Sequence, residues 1–258
     1  MAELRANNIS KHFSGVRVVK NVTFTLRPGE VVGYLGPNGS GKTTTARMLA
    51  GLIEPSAGTV FYDGRDIRDD LVGFRRQLGY IPEEPYLYSF LSGREYLKLM
   101  GRLRELPEAL LTAKIEGFLN VFGLSTAADQ AIASYSKGMR QKIVISAALM
   151  HDPAVVLFDE PETGLDVTTT LMLRNLVRLL AGRGKAILYS SHILEVVERV
   201  CDKVIVLHKG DVVADDSIAR LRTLMSSSSL EGVFSQLVIR DDPEKLAAEL
   251  ADVSAMGA

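Results

Sequence analysis

Eight residues near the start of the chain have the composition and spacing of a phosphate-binding loop. They read Gly-Pro-Asn-Gly-Ser-Gly-Lys-Thr and run from Gly36 to Thr43. Glycines allow backbone N–H groups to approach phosphate oxygens closely, and the N-terminus of a following helix adds positive potential. Lys42 can reach the β- and γ-phosphates of a nucleoside triphosphate, while the Thr43 hydroxyl can ligate Mg²⁺. The residues expected to bind the nucleotide here are Gly36, Pro37, Asn38, Gly39, Ser40, Gly41, Lys42, Thr43 and Thr44.

Two carboxylates follow an apolar run later in the chain. The run is Val155–Phe158, and Asp159 and Glu160 come directly after it. A buried parallel strand needs apolar residues on both faces, and its carboxyl end lies where ligands bind in open α/β sheets. We therefore expect Asp159 to hold Mg²⁺, directly or through water, and Glu160 to polarise an attacking water as general base. A protein that only binds nucleotide would not need the second carboxylate.

A third motif, Tyr-Ser-Lys-Gly-Met at residues 135–139, lies between the first two. An apolar helix is predicted to follow it, over Lys142–Met150. A Ser and a Gly at a helix N-terminus can form an anion site, because free backbone N–H groups and the helix dipole point at the same place. The same two residues can also form an ordinary helix cap and a turn. From these residues alone both interpretations stay open.

Apolar runs and turn residues predict the elements that hold these motifs. The apolar run Val31–Leu35 predicts a buried strand, which is followed by a helix that starts near Gly41. Two further short strands are predicted over Val22–Leu26 and Thr59–Tyr62, each ended by turn residues. Residues 88–150 then carry helical spacing with few β-like runs, which predicts a helical insertion.

From residue 154 onward, predicted strands and helices alternate. The order is strand, helix, strand, helix and strand over residues 154–158, 167–181, 185–190, 192–201 and 203–207. Such alternation predicts a parallel sheet with right-handed crossovers, and hence an α/β fold. Ser226–Ser229 then reads as a linker to a tail. The tail has an apolar stretch, Leu230–Val238, and a weakly amphipathic stretch, Pro243–Leu250.

The bulk properties narrow the class of protein. The chain has 258 residues, 47% of them hydrophobic, which suits one large α/β domain or a core with a smaller subdomain. Its formal net charge of -1 gives no electrostatic reason to expect nucleic acid as a partner. The single cysteine, Cys201, fits a reducing compartment. Because neither a signal-like N-terminus nor a run of roughly 18 apolar residues is present, we expect a soluble protein that reaches a membrane only through a partner.

The order of the three motifs resembles that of the ATPase subunit of an ATP-binding cassette (ABC) transporter, and the match runs across most of the chain. The resemblance implies a P-loop NTPase (RecA-like) core with a mostly parallel sheet, an N-terminal antiparallel β part and a helical subdomain. On this basis an ATPase domain spans residues 1–225, and a C-terminal extension spans residues 226–258. Within the domain the core covers residues 1–87 and 151–225, and the helical subdomain covers residues 88–150.

The resemblance also implies that the site is completed by a second subunit. In the family a Leu-Ser-Gly-Gly-Gln signature binds the γ-phosphate of the ATP held by the opposite subunit. This chain keeps Ser136 and Gly138 of that string but departs from it at Tyr135, Lys137 and Met139. Its Tyr-Ser-Lys-Gly-Met form is similar to that of a branch that includes drug, polysaccharide and lipid exporters. Two cassettes are then expected to close head-to-tail around two ATP molecules.

Four further residues match positions with a role in the family. Phe13 corresponds to the aromatic residue that stacks on adenine. Glu83 takes the place of the Q-loop glutamine, which contacts Mg²⁺ and the membrane partner; a glutamate reaches a hydrated metal but cannot donate an amide hydrogen bond. Asp166 ends the D-loop, which passes between the two subunits. His192 is predicted to open a helix and corresponds to the histidine that contacts the γ-phosphate and positions the water.

Together these features favour an ATPase that dimerises on ATP and drives a separate membrane permease from the cytoplasmic face, with export as the expected direction. The expected ligands are ATP and Mg²⁺, and the expected partners are a second copy and the permease. The alternative is a soluble single-cassette ABC ATPase that acts in assembly without a permease. A GTPase is disfavoured because the guanine-reading Asn-Lys-x-Asp string is absent. A non-enzymatic nucleotide sensor conflicts with the presence of both Glu160 and His192, and the transported substrate is left open.

Overall fold

The structure, a computed structural model, describes residues 3–238. Within that range ten strands and nine α-helices form two sheets and the layers around them. The strands are β1 (Leu4–Phe13), β2 (Val16–Leu26), β3 (Val31–Leu35), β4 (Ala57–Tyr62), β5 (Arg65–Asp66), β6 (Leu78–Ile81), β7 (Val155–Asp159), β8 (Ala186–Ser190), β9 (Lys203–His208) and β10 (Asp211–Ser217). The helices are α1 (Lys42–Leu49), α2 (Leu71–Arg76), α3 (Gly93–Leu103), α4 (Glu108–Val121), α5 (Lys137–Leu149), α6 (Val167–Gly182), α7 (Leu194–Val200), α8 (Ile218–Leu224) and α9 (Leu230–Val238).

The larger sheet contains the parallel strands that the alternating sequence pattern predicts. Its strand order is β10-β9-β3-β8-β7-β6, in which β9 to β6 run parallel and β10 pairs antiparallel with β9. Successive residues of a strand point to opposite faces. Val31 and Leu35 accordingly pack into one apolar cluster, and Val32 and Tyr34 pack into a second. The predicted α/β fold with a mostly parallel sheet is confirmed.

The smaller sheet is antiparallel and has the order β2-β1-β4-β5. It confirms the predicted N-terminal antiparallel part. β2 begins at Val16, earlier than the strand predicted over Val22–Leu26. The first part of β2 pairs with β1 across several register shifts, so its side chains do not alternate cleanly between apolar and polar.

Helices α3, α4 and α5 lie between β6 and β7, inside the stretch predicted to be helical. α5 begins at Lys137 rather than at Lys142, where the apolar pattern starts. The reason is a helix cap, because the Ser136 hydroxyl accepts a hydrogen bond from the Met139 backbone N–H at 3.2 Å. The Tyr-Ser-Lys-Gly-Met motif therefore forms the N-terminal turn of α5.

The last described helix, α9, follows the segment Ser226–Ser229 that was predicted to be a linker. It packs against α7 and α8, with Leu230 and Val233 fully buried, and its first backbone N–H donates to a carboxylate oxygen of Glu198 at 3.4 Å. The amphipathic stretch predicted over Pro243–Leu250 lies outside the described residues. Between residues 3 and 238, no helix combines the length and the apolar character needed to cross a bilayer.

Candidate functional site

The loop between β3 and α1 is shaped by close backbone contacts. β3 ends at Leu35, and Gly41 caps α1 with a φ of 107°. A Cβ at Gly41 would lie 2.9 Å from the carbonyl oxygen of Val18, so any larger residue would displace the loop from β2. The backbone N–H groups at the start of α1 are held next to a cavity, in the arrangement that binds phosphate oxygens.

A cavity of about 580 Å³ opens beside this loop and collects most of the predicted site. Its lining includes the start of α1, the loop after β6, the end of β7 and the turn after β8. The lining residues are Val18, Asn38, Gly39, Gly41, Lys42, Thr43, Thr44, Glu83, Glu160 and His192. All of these except Val18 were predicted from the sequence. Val18 is one of several valines in a β-rich segment, and nothing in its sequence context marks it as a site residue.

Lys42 connects the loop to the Glu160 carboxylate. Its side chain is only 7% exposed, and its ammonium group donates to the Gly36 carbonyl oxygen at 2.8 Å. The same ammonium lies 3.7 Å from Glu160 Oε1. A buried ammonium needs such partners because an unpaired buried charge is costly. Gly36 and Pro37 thus contribute carbonyl oxygens that face Lys42, and the buried Ser40 lies within the same loop.

Asp159 is a fully buried carboxylate at the end of β7. It accepts hydrogen bonds from the hydroxyls of Ser190 at 2.8 Å, Tyr80 at 3.3 Å and Thr43 at 3.4 Å. Burial raises the pKa of its carboxyl, and the three hydrogen bonds oppose that rise. Its oxygens therefore lie in a place where a cation would relieve the cost of burying a negative charge.

The Thr43 hydroxyl and the Asp159 carboxylate fit Mg²⁺, which prefers oxygen ligands and keeps several positions for phosphate and water. The described residues hold no group of three or more His, Cys, Asp or Glu side chains that could bind a metal by themselves. A magnesium ion here would thus depend on phosphate oxygens to complete its coordination. That dependence is expected of a site in which metal and nucleotide bind together.

Glu160 and His192 form a hydrogen-bonded pair across the ends of β7 and β8. The His192 ring Nδ1 lies 2.7 Å from Glu160 Oε2, and the His192 backbone N–H donates to the same oxygen at 3.3 Å. Glu160 has a φ of 49°, which is left-handed and uncommon for a residue other than glycine. Such strain clusters at functional sites, and it turns this carboxylate towards Lys42 and the cavity. His192 lies in the turn between β8 and α7, because α7 begins at Leu194 and not at His192 as predicted.

The loop after β6 is held to the loop after β7 by a buried amide. Gln141 on α5 is fully buried, and its Nε2 donates to the carbonyl oxygens of Pro161 at 3.3 Å and Pro82 at 3.5 Å. Pro82 precedes Glu83, which lines the cavity. The sequence prediction missed Gln141, because a polar residue at the start of a helix is ordinarily exposed.

Ser136, Gly138, Asp166 and Phe13 are not among the residues that line this cavity. Ser136 caps α5, and a Cβ at Gly138 would lie 2.6 Å from the Gly164 carbonyl oxygen. Phe13 lies at the end of β1, where it is 47% exposed and has the Lys11 ammonium 5.3 Å from its ring centre.

Asp166 caps α6 and faces α5. Its carboxylate accepts from the Thr169 backbone N–H at 2.8 Å and from the Thr169 hydroxyl at 2.7 Å, and the Lys142 ammonium lies 3.3 Å away. The Thr169 hydrogen bonds, with Lys142 as a smaller cause, hold the pKa of Asp166 well below its usual range. In one copy of the chain, none of these four residues therefore contributes to the cavity.

Comparisons of the chain with known proteins agree on one family. The family model described as "ABC transporter" matches residues 19–163. The ABC transporter ATP-binding protein NatA of Bacillus subtilis (strain 168) is 39% identical over 226 residues, which cover 87% of this chain and 92% of that protein. The Nod factor export ATP-binding protein I of Burkholderia lata is 35% identical over 215 residues, covering 83% of this chain and 71% of that protein.

A solved structure shows the same fold. It is described as the structure of the ATP-binding subunit of an ABC transporter, and it superimposes with a TM-score of 0.85 at 34% identity. The superposition covers 91% of this chain and 98% of the other. The shared fold therefore extends well beyond the segment that the family model matches.

Proposed function

This chain belongs to the ABC transporter family as an ATP-binding, ATP-hydrolysing subunit, and we propose that two copies share each ATP and drive a separate membrane permease in the direction of export. The observation that carries the proposal is the cavity that joins Lys42, Glu160 and His192. It combines a loop that binds phosphate with a carboxylate that activates water. Binding and hydrolysis can therefore take place in the same cavity.

For hydrolysis we assign Glu160 as the general base. Its carboxylate is held by His192 on one side and by Lys42 on the other, at 2.7 and 3.7 Å. In that position it can take a proton from a water that attacks the γ-phosphorus, while Lys42 moves onto the phosphate oxygens. His192 keeps the carboxylate in place and can contact the γ-phosphate through its exposed ring. Thr43 and Asp159 would hold Mg²⁺, which would neutralise charge on the phosphates.

The second copy is needed because one copy leaves part of the implied site unused. Ser136 and Gly138 lie at the start of α5, where Ser136 has the position of a helix cap and the helix N-terminus carries positive potential. Neither residue lines the cavity of its own chain. If a second copy packs head-to-tail, its α5 can present this turn to the γ-phosphate. ATP then bridges the two copies, and hydrolysis removes the bridge.

A second cavity, of about 590 Å³, offers a place for the permease. It lies between α1 and the helices α3 and α5, and it is lined by aromatic and aliphatic residues together with Arg47, Arg75 and Arg104. None of these three arginines forms a salt bridge with another described residue. Burial, together with the nearby Arg75, lowers the pKa of Arg104. The cleft thus suits a helical segment of the permease that carries apolar residues and a carboxylate.

Exposed aromatic residues extend this cleft. Tyr86, Tyr88 and Phe90 are 81%, 54% and 78% exposed in the segment between β6 and α3. Large exposed aromatic side chains are enriched at protein interfaces. Because this segment also follows Glu83, a partner that binds here can sense the nucleotide site. Export as the direction is supported by the Tyr-Ser-Lys-Gly-Met motif and by the similarity to a Nod factor export protein.

The test is purification from membranes of cells that express the chain at its natural level. In mild detergent, we expect an integral membrane protein to accompany the chain, and reconstituted vesicles should consume ATP faster with the permease present. If no membrane protein accompanies the chain and its ATP turnover is independent of lipid, the proposal is wrong, and the chain is a soluble ATPase that acts without a permease. Glu160→Gln is the control for both measurements, because it should lower turnover about 100-fold or more without loss of the complex.

A further inference from the structure

A buried carboxylate outside the cavity is held from two sides. Glu162 lies two residues after Glu160, and its side chain is only 9% exposed. The Tyr189 hydroxyl donates to Glu162 Oε1 at 2.7 Å. The Arg174 guanidinium donates to Oε1 at 3.1 Å and to Oε2 at 3.3 Å. Both carboxylate oxygens are therefore satisfied, which is the condition for burying such a charge.

The Tyr189 hydroxyl acts as a hydrogen-bond donor to Glu162. Tyr189 is fully buried on β8, and its ring lies against that of Phe158 with 5.8 Å between centres. Burial and the neighbouring Glu162 carboxylate raise the pKa of Tyr189, so its hydroxyl keeps its proton. The bond to Glu162 is a short charge-assisted one, of the kind that contributes most to positioning.

Residues of β8 and of the turn after it contact three acidic residues at the end of β7. Asp159 is the last residue of β7, and Glu160 and Glu162 come after it. Ser190 donates to Asp159 at 2.8 Å, and His192 contacts Glu160 at 2.7 Å. Tyr189 makes the third contact, to Glu162. The first two contacts hold the carboxylates assigned to metal binding and hydrolysis, and the third does not. It fixes the place at which the chain leaves that cavity.

The loop of residues 161–166, here called the connecting loop, contains the D-loop segment that ends at Asp166. It leads from β7 to α6, holds Glu162 near its beginning, and passes the start of α5. A Cβ at Gly138 would lie 2.6 Å from the Gly164 carbonyl oxygen, so the first turn of α5 rests directly on the connecting loop. At the far end of the loop, Asp166 pairs with Lys142 of α5 at 3.3 Å. A displacement of the connecting loop must therefore displace the turn that contains Ser136.

We infer that Glu162, clamped by Tyr189 and Arg174, is a positioning residue that sets where the N-terminal turn of α5 meets a second copy. The inference rests on the proposed function, because it concerns the half-site that one copy offers to the other. Loss of the clamp frees the connecting loop without touching the loop that binds phosphate. ATP binding to a single copy is then unchanged, whereas ATP-driven association of two copies is weakened.

The test uses the full chain with Glu160→Gln, which prevents turnover, and adds Tyr189→Phe. Sedimentation with Mg-ATP should give a dimer dissociation constant about tenfold higher than that of Glu160→Gln alone, which corresponds to about 1.4 kcal/mol. Affinity for a fluorescent ATP analogue at concentrations where the chain is monomeric should change less than about twofold. Tyr34→Phe in the same background is the matched control, because Tyr34 is equally buried on the adjacent strand β3 and no carboxylate accepts from it.

The outcomes distinguish a failure of the proposed function from a failure of the inference about Glu162. If Glu160→Gln alone stays monomeric with Mg-ATP, the shared site of the proposed function is wrong, and with it the inference. If it dimerises and Tyr189→Phe leaves its dissociation constant equal to that with Tyr34→Phe, the inference alone is overturned. Glu162→Gln tests the same clamp from the loop side, should Tyr189→Phe lower the folded fraction. It removes the charge paired with Arg174, and association should weaken at least about threefold if the clamp positions the loop.

Discussion

Replacing Asp159 by asparagine should stabilise the nucleotide-free protein while it abolishes metal-dependent ATP turnover. The carboxylate is fully buried, and within the described residues no cation forms a salt bridge with it. The buried charge that allows Asp159 to bind a metal therefore destabilises the protein when no nucleotide is bound. Such opposition is expected where a site is built for a charge that arrives with the substrate.

The size of the effect follows from the three hydrogen bonds at this residue. Asp159 Oδ1 accepts from Ser190 at 2.8 Å and from Thr43 at 3.4 Å, and Oδ2 accepts from Tyr80 at 3.3 Å. An asparagine keeps an oxygen for the first two donors, and its amide can donate to the Tyr80 hydroxyl. Weakening of the short bond costs about 1 kcal/mol, while removal of a buried charge relieves a desolvation penalty of several kcal/mol. The net gain should be about 1–3 kcal/mol, or roughly 3–9 °C in Tm for a chain of this size.

The effect should depend on pH in a defined direction. Burial raises the pKa of the Asp159 carboxyl above that of an unfolded aspartate, about 3.9. The folded protein thus holds this proton more tightly than the unfolded chain. The stability that the group contributes is present below about pH 3.9 and is lost as the pH rises through the raised value. Because asparagine does not titrate, its advantage over the wild type should be smallest near pH 4 and should grow as the pH rises through the raised pKa of Asp159.

Differential scanning fluorimetry without nucleotide, at a series of pH values, measures this advantage. Asp129→Asn is the control, because Asp129 is an exposed carboxylate paired with Arg94 and its replacement should not raise Tm. With saturating Mg-ATP the order should reverse, since only the wild type gains stability from the metal-bound nucleotide. A variant that is less stable than the wild type at neutral pH would refute the reasoning. An advantage that does not change with pH would refute it as well.

Three further changes have defined outcomes. His192→Ala removes the 2.7 Å contact with Glu160, so phosphate release should fall about tenfold to 100-fold while binding of a fluorescent ATP analogue persists; unchanged turnover would contradict the assigned pair. Arg104→Glu reverses a charge in the cleft proposed for the permease, so co-purification of the permease should be lost while basal ATP turnover is kept. Lys98→Glu, on the exposed side of α3, should leave both co-purification and basal turnover unchanged. Burial lowers the pKa of His151 to about 4, so the stability it contributes is present above its unfolded value of about 6.5 and is lost as the pH falls towards 4. His151→Gln keeps a donor for the Leu78 carbonyl oxygen and should lose less stability than the wild type over that range in urea unfolding; equal losses would contradict the lowered pKa.

The strands that carry the chemistry were predictable because they are short, continuous apolar runs. β3 has the bounds expected from the sequence, β7 begins and ends one residue later than expected, and β8 begins one residue later. Buried parallel strands have this pattern because both of their faces are covered. The motif residues directly after β3 and β7 were therefore correctly brought to one edge of the sheet.

Other parts depend on contacts that a linear pattern does not contain. The start of α5 is set by the Ser136 cap and not by the apolar stretch that follows it. The turn at His192 is set by the pair it forms with Glu160, 32 residues earlier in the chain. Val18, Gln141 and the clamp at Glu162 likewise need partners from distant elements. The roles of such residues can be recognised only when the contacts between distant elements are known.

The most direct test of the shared site is a mixture of two inactive variants. Lys42→Ala removes the ammonium of the phosphate-binding loop, and Ser136→Arg fills the start of α5 that faces the second copy. In a mixed dimer one site carries both defects and the other carries none. We predict that phosphate release, near zero for each variant alone, returns on mixing equal amounts to about a quarter of the wild-type rate, since half of the dimers are mixed and each has one intact site. A mixture as inactive as its components, or full turnover by Ser136→Arg as a monomer, would contradict a site built from two copies.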